Sequence, residues 1–135
     1  MQIFICRSDY SQELAVGKYK DILKSLNAGT AGVKAQIPEV YKGFGNMYRA
    51  AYADGELSAR VKELMAVGIA VHEGCDGCIA SHVRSAVRKG ATAQEMAEAI
   101  GVAMQMGGGP SSIYASHAWD AFQEFSEEAT RQAMS

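Results

Sequence analysis

The chain has 135 residues, 48% of them apolar, and a formal net charge of −2. That length suits one domain with a real core, and the charge excludes an electrostatic footprint for nucleic acid or anionic lipid. No apolar run approaches the roughly 20 residues that cross a bilayer, so a membrane protein is not expected. The start, Met1-Gln-Ile-Phe-Ile-Cys6, is too short an apolar stretch for a secretory leader and has no basic residue before it. The cytoplasm is the expected compartment.

Only Gln2–Cys6 has a β-like composition. Elsewhere Ala, Leu, Met and Glu dominate and there are two prolines, which predicts an all-α domain over residues 1–135 with about six helices. The first is expected from about Ser11, a plausible N-cap, to Leu26, with Leu14, Tyr19, Ile22, Leu23 and Leu26 as its apolar stripe. Asn27–Lys34 holds two glycines and reads as a loop. Pro38 suits the first turn of a second helix, Pro38–Ala53, which Asp54-Gly55 ends. Ser58 is a good cap for a third. Its run Leu64–Val71 is apolar all round, the mark of a helix at the centre of a bundle, and Glu73-Gly74 terminates it.

The fourth helix begins at or just after Cys75 and ends at Lys89, with Gly90 following. Thr92-Ala-Gln-Glu95 is a capping-box pattern that opens a fifth helix through about Met106. Gly107–Gly109 reads as a hinge, and Pro110 starts a last helix to about Arg131. On that helix Tyr114, His117 and Trp119 read as packing or subunit-contact residues.

Three cysteines, an odd number, make a poor secreted disulfide framework. Cys6 stands alone and reads as a small hydrophobe. Cys75 and Cys78 are different. They stand three residues apart, and His82 follows four residues after the second. A thiolate is the reactive form of cysteine, and a dithiol can close a disulfide once one sulfur has reacted.

At about 100° per residue, Cys78 lies near −60° and His82 near −20° from Cys75, so all three share one helix face. Arg84 and Arg88 lie on the far side, as a solvated face. Both thiols fall in the first turn, where unpaired N–H groups and the positive dipole end favour a thiolate. His82 can accept a thiol proton and return it. Glu63 shares a face with Val67 and Ala70, so it should point inward and could orient the ring. His72 lies close in sequence, with no direction fixed.

The segment from Gly55 to about Gln105 resembles the carboxymuconolactone decarboxylase-like family, specifically its alkylhydroperoxidase D (AhpD)-like branch. The resemblance is carried by Leu57-Ser-Ala-Arg-Val-Lys-Glu63-Leu, by Glu73-Gly-Cys75-Asp-Gly-Cys78-Ile-Ala-Ser-His82, and by Lys89-Gly-Ala-Thr92-Ala-Gln-Glu95-Met-Ala-Glu-Ala-Ile100. Its pattern is a glutamate, Cys-x-x-Cys twelve residues later, and a histidine four after the second cysteine, and the chain meets all of it.

The resemblance implies an all-α fold assembling as a homotrimer or homohexamer. It implies a thiol peroxidase or disulfide oxidoreductase acting on peroxide or a disulfide, with no cofactor or metal. Cys78 would attack, Cys75 would resolve, and Glu63 with His82 would relay protons. An external dithiol, lipoyl or thioredoxin-like, would restore the pair. Some members carry a second histidine just before the later cysteine. Here that position is Gly77, so the implied relay is one group shorter.

Three other readings compete. Cys75, Cys78, His82 and Glu63 are a possible zinc set, although closed zinc sites usually join distant segments. A non-enzymatic oligomeric module could use the disulfide as a switch. The family's decarboxylase branch acts on a small lactone acid, but it typically lacks the thiol pair.

Overall fold

A computed structural model describes residues 17–135, and all regular structure among them is helical. Five helices follow in order: α1 Lys18–Gln36, α2 Pro38–Tyr52, α3 Ala59–Glu73, α4 Asp76–Arg88 and α5 Ala93–Ala133. The expectations for Gln2–Cys6, Cys6, Ser11 and Leu14 lie outside the described residues.

The buried core is built where α3, α4 and α5 meet. Val67 and Val71 of α3, Ile79 and Val83 of α4, and Met96, Ala118 and Phe125 of α5 lie in it, and Tyr19 and Leu23 of α1 close it from the side of α4. The all-apolar stretch of α3 is at the centre, as its composition requires.

Caps set the register. The Ser58 hydroxyl accepts from Val61 N–H at 3.3 Å. Gly74 ends α3 in the left-handed conformation, φ 66°, with its N–H on the carbonyls of Ala70 and Val71. Thr92 and Glu95 form the reciprocal capping box, at 3.1 and 2.9 Å.

Two expectations are corrected. Asn27–Lys34 is not a loop, because α1 runs through it to Gln36. A glycine costs a helix up to about 1 kcal/mol relative to alanine. Gly29 and Gly32 do not exceed what the other residues of the stretch supply, and the space around each is open. Pro38 is the true stop, since a residue before proline is disfavoured in the α region. Ile37 accordingly leaves it, at φ −131° and ψ 59°.

The helix count is the second correction, five rather than about six. The expected break at Gly107–Gly109 is present, but as a kink between two helical stretches of one continuous element. Gly108 alone leaves helical geometry, at φ 66° and ψ −146°, and α5 continues past it with a kink. Pro110 follows the break, where a missing N–H costs least.

One support of the fold was invisible in the pattern. Glu124 of α5 is buried and accepts the Tyr19 N–H at 3.1 Å and the Lys20 N–H at 3.0 Å. A carboxylate 104 residues away thus caps the free N–H groups at the start of α1.

Candidate active site

The turn between α3 and α4 builds the site. Gly74 reverses the chain, and Cys75 follows as the N-cap of α4 in extended geometry, φ −108° and ψ 94°. Its sulfur accepts the Cys78 N–H at 3.2 Å, and the two sulfurs are joined as a disulfide. Cys78 is exposed and Cys75 half-buried, so solvent reaches the pair. A sulfur held against the first-turn N–H groups of a helix is favoured as an anion once the bond opens.

Glu63 points into the protein from α3 and is 0% exposed. A buried carboxylate is tolerated only with donors around it, and Glu63 has three. His82 Nδ1 donates to Oε2 at 2.8 Å, Lys89 Nζ to Oε1 at 3.1 Å, and the Tyr48 hydroxyl to Oε1 at 3.2 Å. A carboxylate only accepts, so Nδ1 of His82 carries a hydrogen, and in the neutral ring Nε2 keeps the lone pair. The structure thus joins Glu63 to His82 and Cys75 to Cys78, with His82 one turn beyond Cys78 on α4.

Tyr48, Tyr52 and Lys89 were not singled out as site residues by the sequence. Tyr52 stacks on the His82 ring at 5.4 Å and on Tyr48 at 4.5 Å. Burial first, and the Glu63 charge second, raise both phenols above their ordinary range. Tyr48 therefore remains a neutral donor to Glu63 at physiological pH. The i, i+4 spacing of the two tyrosines on α2 was the available signal.

Gly77 has Leu26 of α1 against it: a Cβ there would stand 2.8 Å from Leu26 Cδ1. A histidine at this position would require the half-exposed Leu26 side chain to turn away.

Other expectations resolve differently. Arg88 is exposed, but Arg84 is half-buried against α5, with an Nε that has no hydrogen-bond partner. Trp119 stacks on Phe122, as a packing residue should. His117 instead bonds Asp76 through Nδ1, at 2.7 Å. His72 faces away from the thiols: a Cβ on Gly107 would meet its Nδ1 at 2.8 Å, and it lines a separate groove between α3 and α5. Among the described residues no three His, Cys, Asp or Glu side chains are grouped as a metal site needs, which counts against the zinc set. No helix among them is long and apolar enough to cross a membrane.

Comparison with known proteins agrees with this architecture. An uncharacterized protein of Cupriavidus necator is 39% identical over 99 residues, spanning 73% of this chain and 88% of its own length. Uncharacterized protein 4 in the cox locus of Paracoccus denitrificans is 43% identical over 67 residues, half of this chain and 60% of its own length. Among solved structures, apo-lpg0406 of Legionella pneumophila, a carboxymuconolactone decarboxylase family protein, superposes with a TM-score of 0.80. It is 41% identical, and the match covers 82% of this chain and 98% of that one. TM1620 of Thermotoga maritima superposes with a TM-score of 0.69 at 27% identity, covering 85% and 98%. The model of the carboxymuconolactone decarboxylase family matches residues 38–121, from the start of α2 into the second half of α5. With that match and this backbone, the chain belongs to the carboxymuconolactone decarboxylase family.

Proposed function

We propose that the protein is an AhpD-like thiol oxidoreductase that reduces peroxide, or a disulfide, through Cys75 and Cys78. The observation that carries this reading is the joined sulfur pair at the solvent-open start of α4, one turn from an imidazole oriented by a buried carboxylate.

Cys78 is the attacking sulfur. His82 takes its proton, and Glu63 holds the ring in the tautomer that leaves Nε2 free to do so. The Cys78 thiolate attacks one oxygen of the peroxide. The O–O bond breaks, Cys78 becomes a sulfenic acid, and the other oxygen leaves as an alcohol or water with the proton. Cys75 then attacks Cys78; the S–O bond breaks, water departs, and the disulfide forms. An external dithiol of the lipoyl or thioredoxin-like class reduces it, giving up two electrons and two protons.

The chain acts as one domain in a homotrimer or homohexamer. Exposed Met65, Ile69, Val102 and Met106, along a groove of about 640 Å³ between α3 and α5, support assembly. A reducing cytoplasm is the compartment in which such a dithiol cycle can run.

The test is a mass measurement before and after peroxide, with and without dihydrolipoamide or thioredoxin, alongside a turnover assay. The wild type loses two hydrogens on oxidation, regains them from the dithiol, and consumes peroxide repeatedly. Cys78→Ser abolishes turnover. Cys75→Ser gains one oxygen and forms no disulfide within the chain. Unchanged turnover in Cys78→Ser would refute the assignment, and a single equivalent consumed per chain would make the pair a switch.

A further inference from the structure

The corner that holds Cys75 has a second carboxylate–imidazole pair, which joins α4 to α5 where Glu63 and His82 join α3 to α4. Asp76 directly follows Cys75, and its Oδ1 accepts from His117 Nδ1 at 2.7 Å. Gly74 directly precedes Cys75, and the Tyr114 ring lies so close that a Cβ on Gly74 would stand 2.9 Å from Tyr114 Cε2. Tyr114 in turn packs edge-on against His117, with centroids 5.0 Å apart. One turn of α5 therefore grips the residues on both sides of Cys75.

The arrangement repeats the first pair in its chemistry. In both, a carboxylate engages Nδ1, which leaves Nε2 with the lone pair. His82, held by Glu63, stands one turn beyond Cys78 on α4, and Asp76, held by His117, directly follows Cys75 in the chain. A thiol–disulfide cycle moves one proton for each sulfur, and a ring near each sulfur lets both transfers run locally.

The Asp76 carboxylate alone would oppose a thiolate at its neighbour. Bonded to His117, it supports an imidazolium instead. His117 and Asp76 both remain partly open to solvent, with side-chain exposures of 27% and 38%, so a proton or a bridging water can pass.

We infer that Asp76 and His117 form a second proton relay, dedicated to Cys75. This rests on the thiol reading above. When Cys75 attacks the Cys78 sulfenic acid, its proton goes to the His117 imidazole. The S–S bond forms, the S–O bond breaks, and the proton leaves with the departing hydroxide as water. When the external dithiol attacks Cys78 and opens the disulfide, the proton of its attacking thiol passes through the same ring to the leaving Cys75 sulfur.

The other ionisable groups around this corner do not fill the role. Tyr19 of α1 is pushed far above neutrality, by burial first and then by Asp120, Asp76 and Glu124, and stays protonated. Tyr114 presents its ring to Gly74. Glu73 and His72, at the end of α3, line the groove between α3 and α5.

The test isolates each sulfur. In a Cys6→Ser background, iodoacetamide alkylation of reduced Cys78→Ser protein reports Cys75 as a function of pH, and in Cys75→Ser protein it reports Cys78. His117→Gln keeps a donor for Asp76 and removes the titrating ring, and His82→Gln does the same at the first pair. His117→Gln should slow Cys75 alkylation at pH 7 by about five- to tenfold, as a pKa rise of up to one unit requires, and leave Cys78 within about twofold. His82→Gln should do the reverse.

Equal effects on both sulfurs, as a loosened corner would give, overturn the inference. So does an unchanged Cys75 profile. Should His117→Gln fail to fold, His117→Asn takes its place with the same two outcomes. Reversible reduction of the wild-type disulfide by dihydrolipoamide or thioredoxin tests the thiol reading separately, so the two can fail independently.

Discussion

The scaffold of α3, α4 and α5 differs sharply from α2, although both contribute to the same site. The three packed helices bury Val67, Val71, Ile79, Val83 and Met96 completely or nearly so, and they carry Glu63, both cysteines and His82. No residue of α2 is buried, and its Val40, Phe44 and Met47 lie open. Yet Tyr48 and Tyr52 of α2 reach Glu63 and His82. The scaffold fixes where the reacting groups stand by close packing. α2 is held near the site by a hydrogen bond, by ring stacking and by its short connections to its neighbours, so it can tune the site without defining it.

A core truncation should show the scaffold's share most clearly. Ile79 is fully buried and follows Cys78 directly, so Ile79→Ala removes packing without touching a polar group. Stability should fall by about 2–5 kcal/mol, read from denaturant midpoints on the reduced protein. A loss below about 1 kcal/mol would mean that the start of α4 can collapse onto the gap, and the scaffold would then be less rigid than its packing indicates.

Glu63→Gln is the next largest effect and acts on chemistry more than on fold. The amide keeps the shape but lacks the charge that supports an imidazolium at His82. Lys89 can turn to solvent, since it is about a third exposed, so the stability cost is partly relieved. The rate of Cys78 oxidation should fall by about tenfold to a hundredfold, with a changed pH–rate profile. A profile identical to wild type removes Glu63 from the proton path.

The contrast between the regions also explains what the sequence could reveal. Periodicity exposes a helix that buries one face, and the spacing Glu63, Cys75, Cys78, His82 lies within three turns of chain reversal, so local rules place it. The inward direction of Glu63 followed from its register with Val67 and Ala70. Three features escaped because their cause is distant or permissive. Glu124 caps α1 across 104 residues, a pairing that only the tertiary fold creates. Gly29 and Gly32 permit a loop but do not require one, and Pro38 decided the matter. Tyr48 and Lys89 approach Glu63 from α2 and from just past the end of α4, and no local pattern links three donors to one buried acceptor.

Tyr48→Phe sharpens the comparison from the α2 side. It deletes one hydrogen bond from a neutral phenol to the Glu63 carboxylate and leaves the His82 and Lys89 bonds in place. A cost of about 1.5–3 kcal/mol is expected in stability, and the loss of rate should be smaller than in Glu63→Gln. Because burial and the Glu63 charge keep the phenol protonated well above neutrality, the wild-type and Tyr48→Phe rates should differ by a constant factor from pH 6 to pH 8. A ratio that drifts across that range would show the phenol ionising, and α2 would then belong to the proton path instead of covering it.

The smallest effect is expected on the outer stripe of α2. Phe44 is 60% exposed and lies beside Val40 and Ile37, also open. In a single chain, Phe44→Ser removes little from the packed state, so stability should stay within about 0.5 kcal/mol of wild type at low protein concentration. The same measurement repeated over a range of concentrations separates the two uses that an exposed aromatic stripe can have. If stability stays flat with concentration in both proteins, the stripe is a solvent-facing edge and α2 is a cover for the site alone. If only the wild type gains stability as concentration rises, then the stripe of α2 that carries Phe44, one turn before Tyr48, is covered by another copy. The tyrosines would then be held against Glu63 and His82 by assembly as well as by their own bonds, and the rate of thiol oxidation should rise with the same concentration dependence.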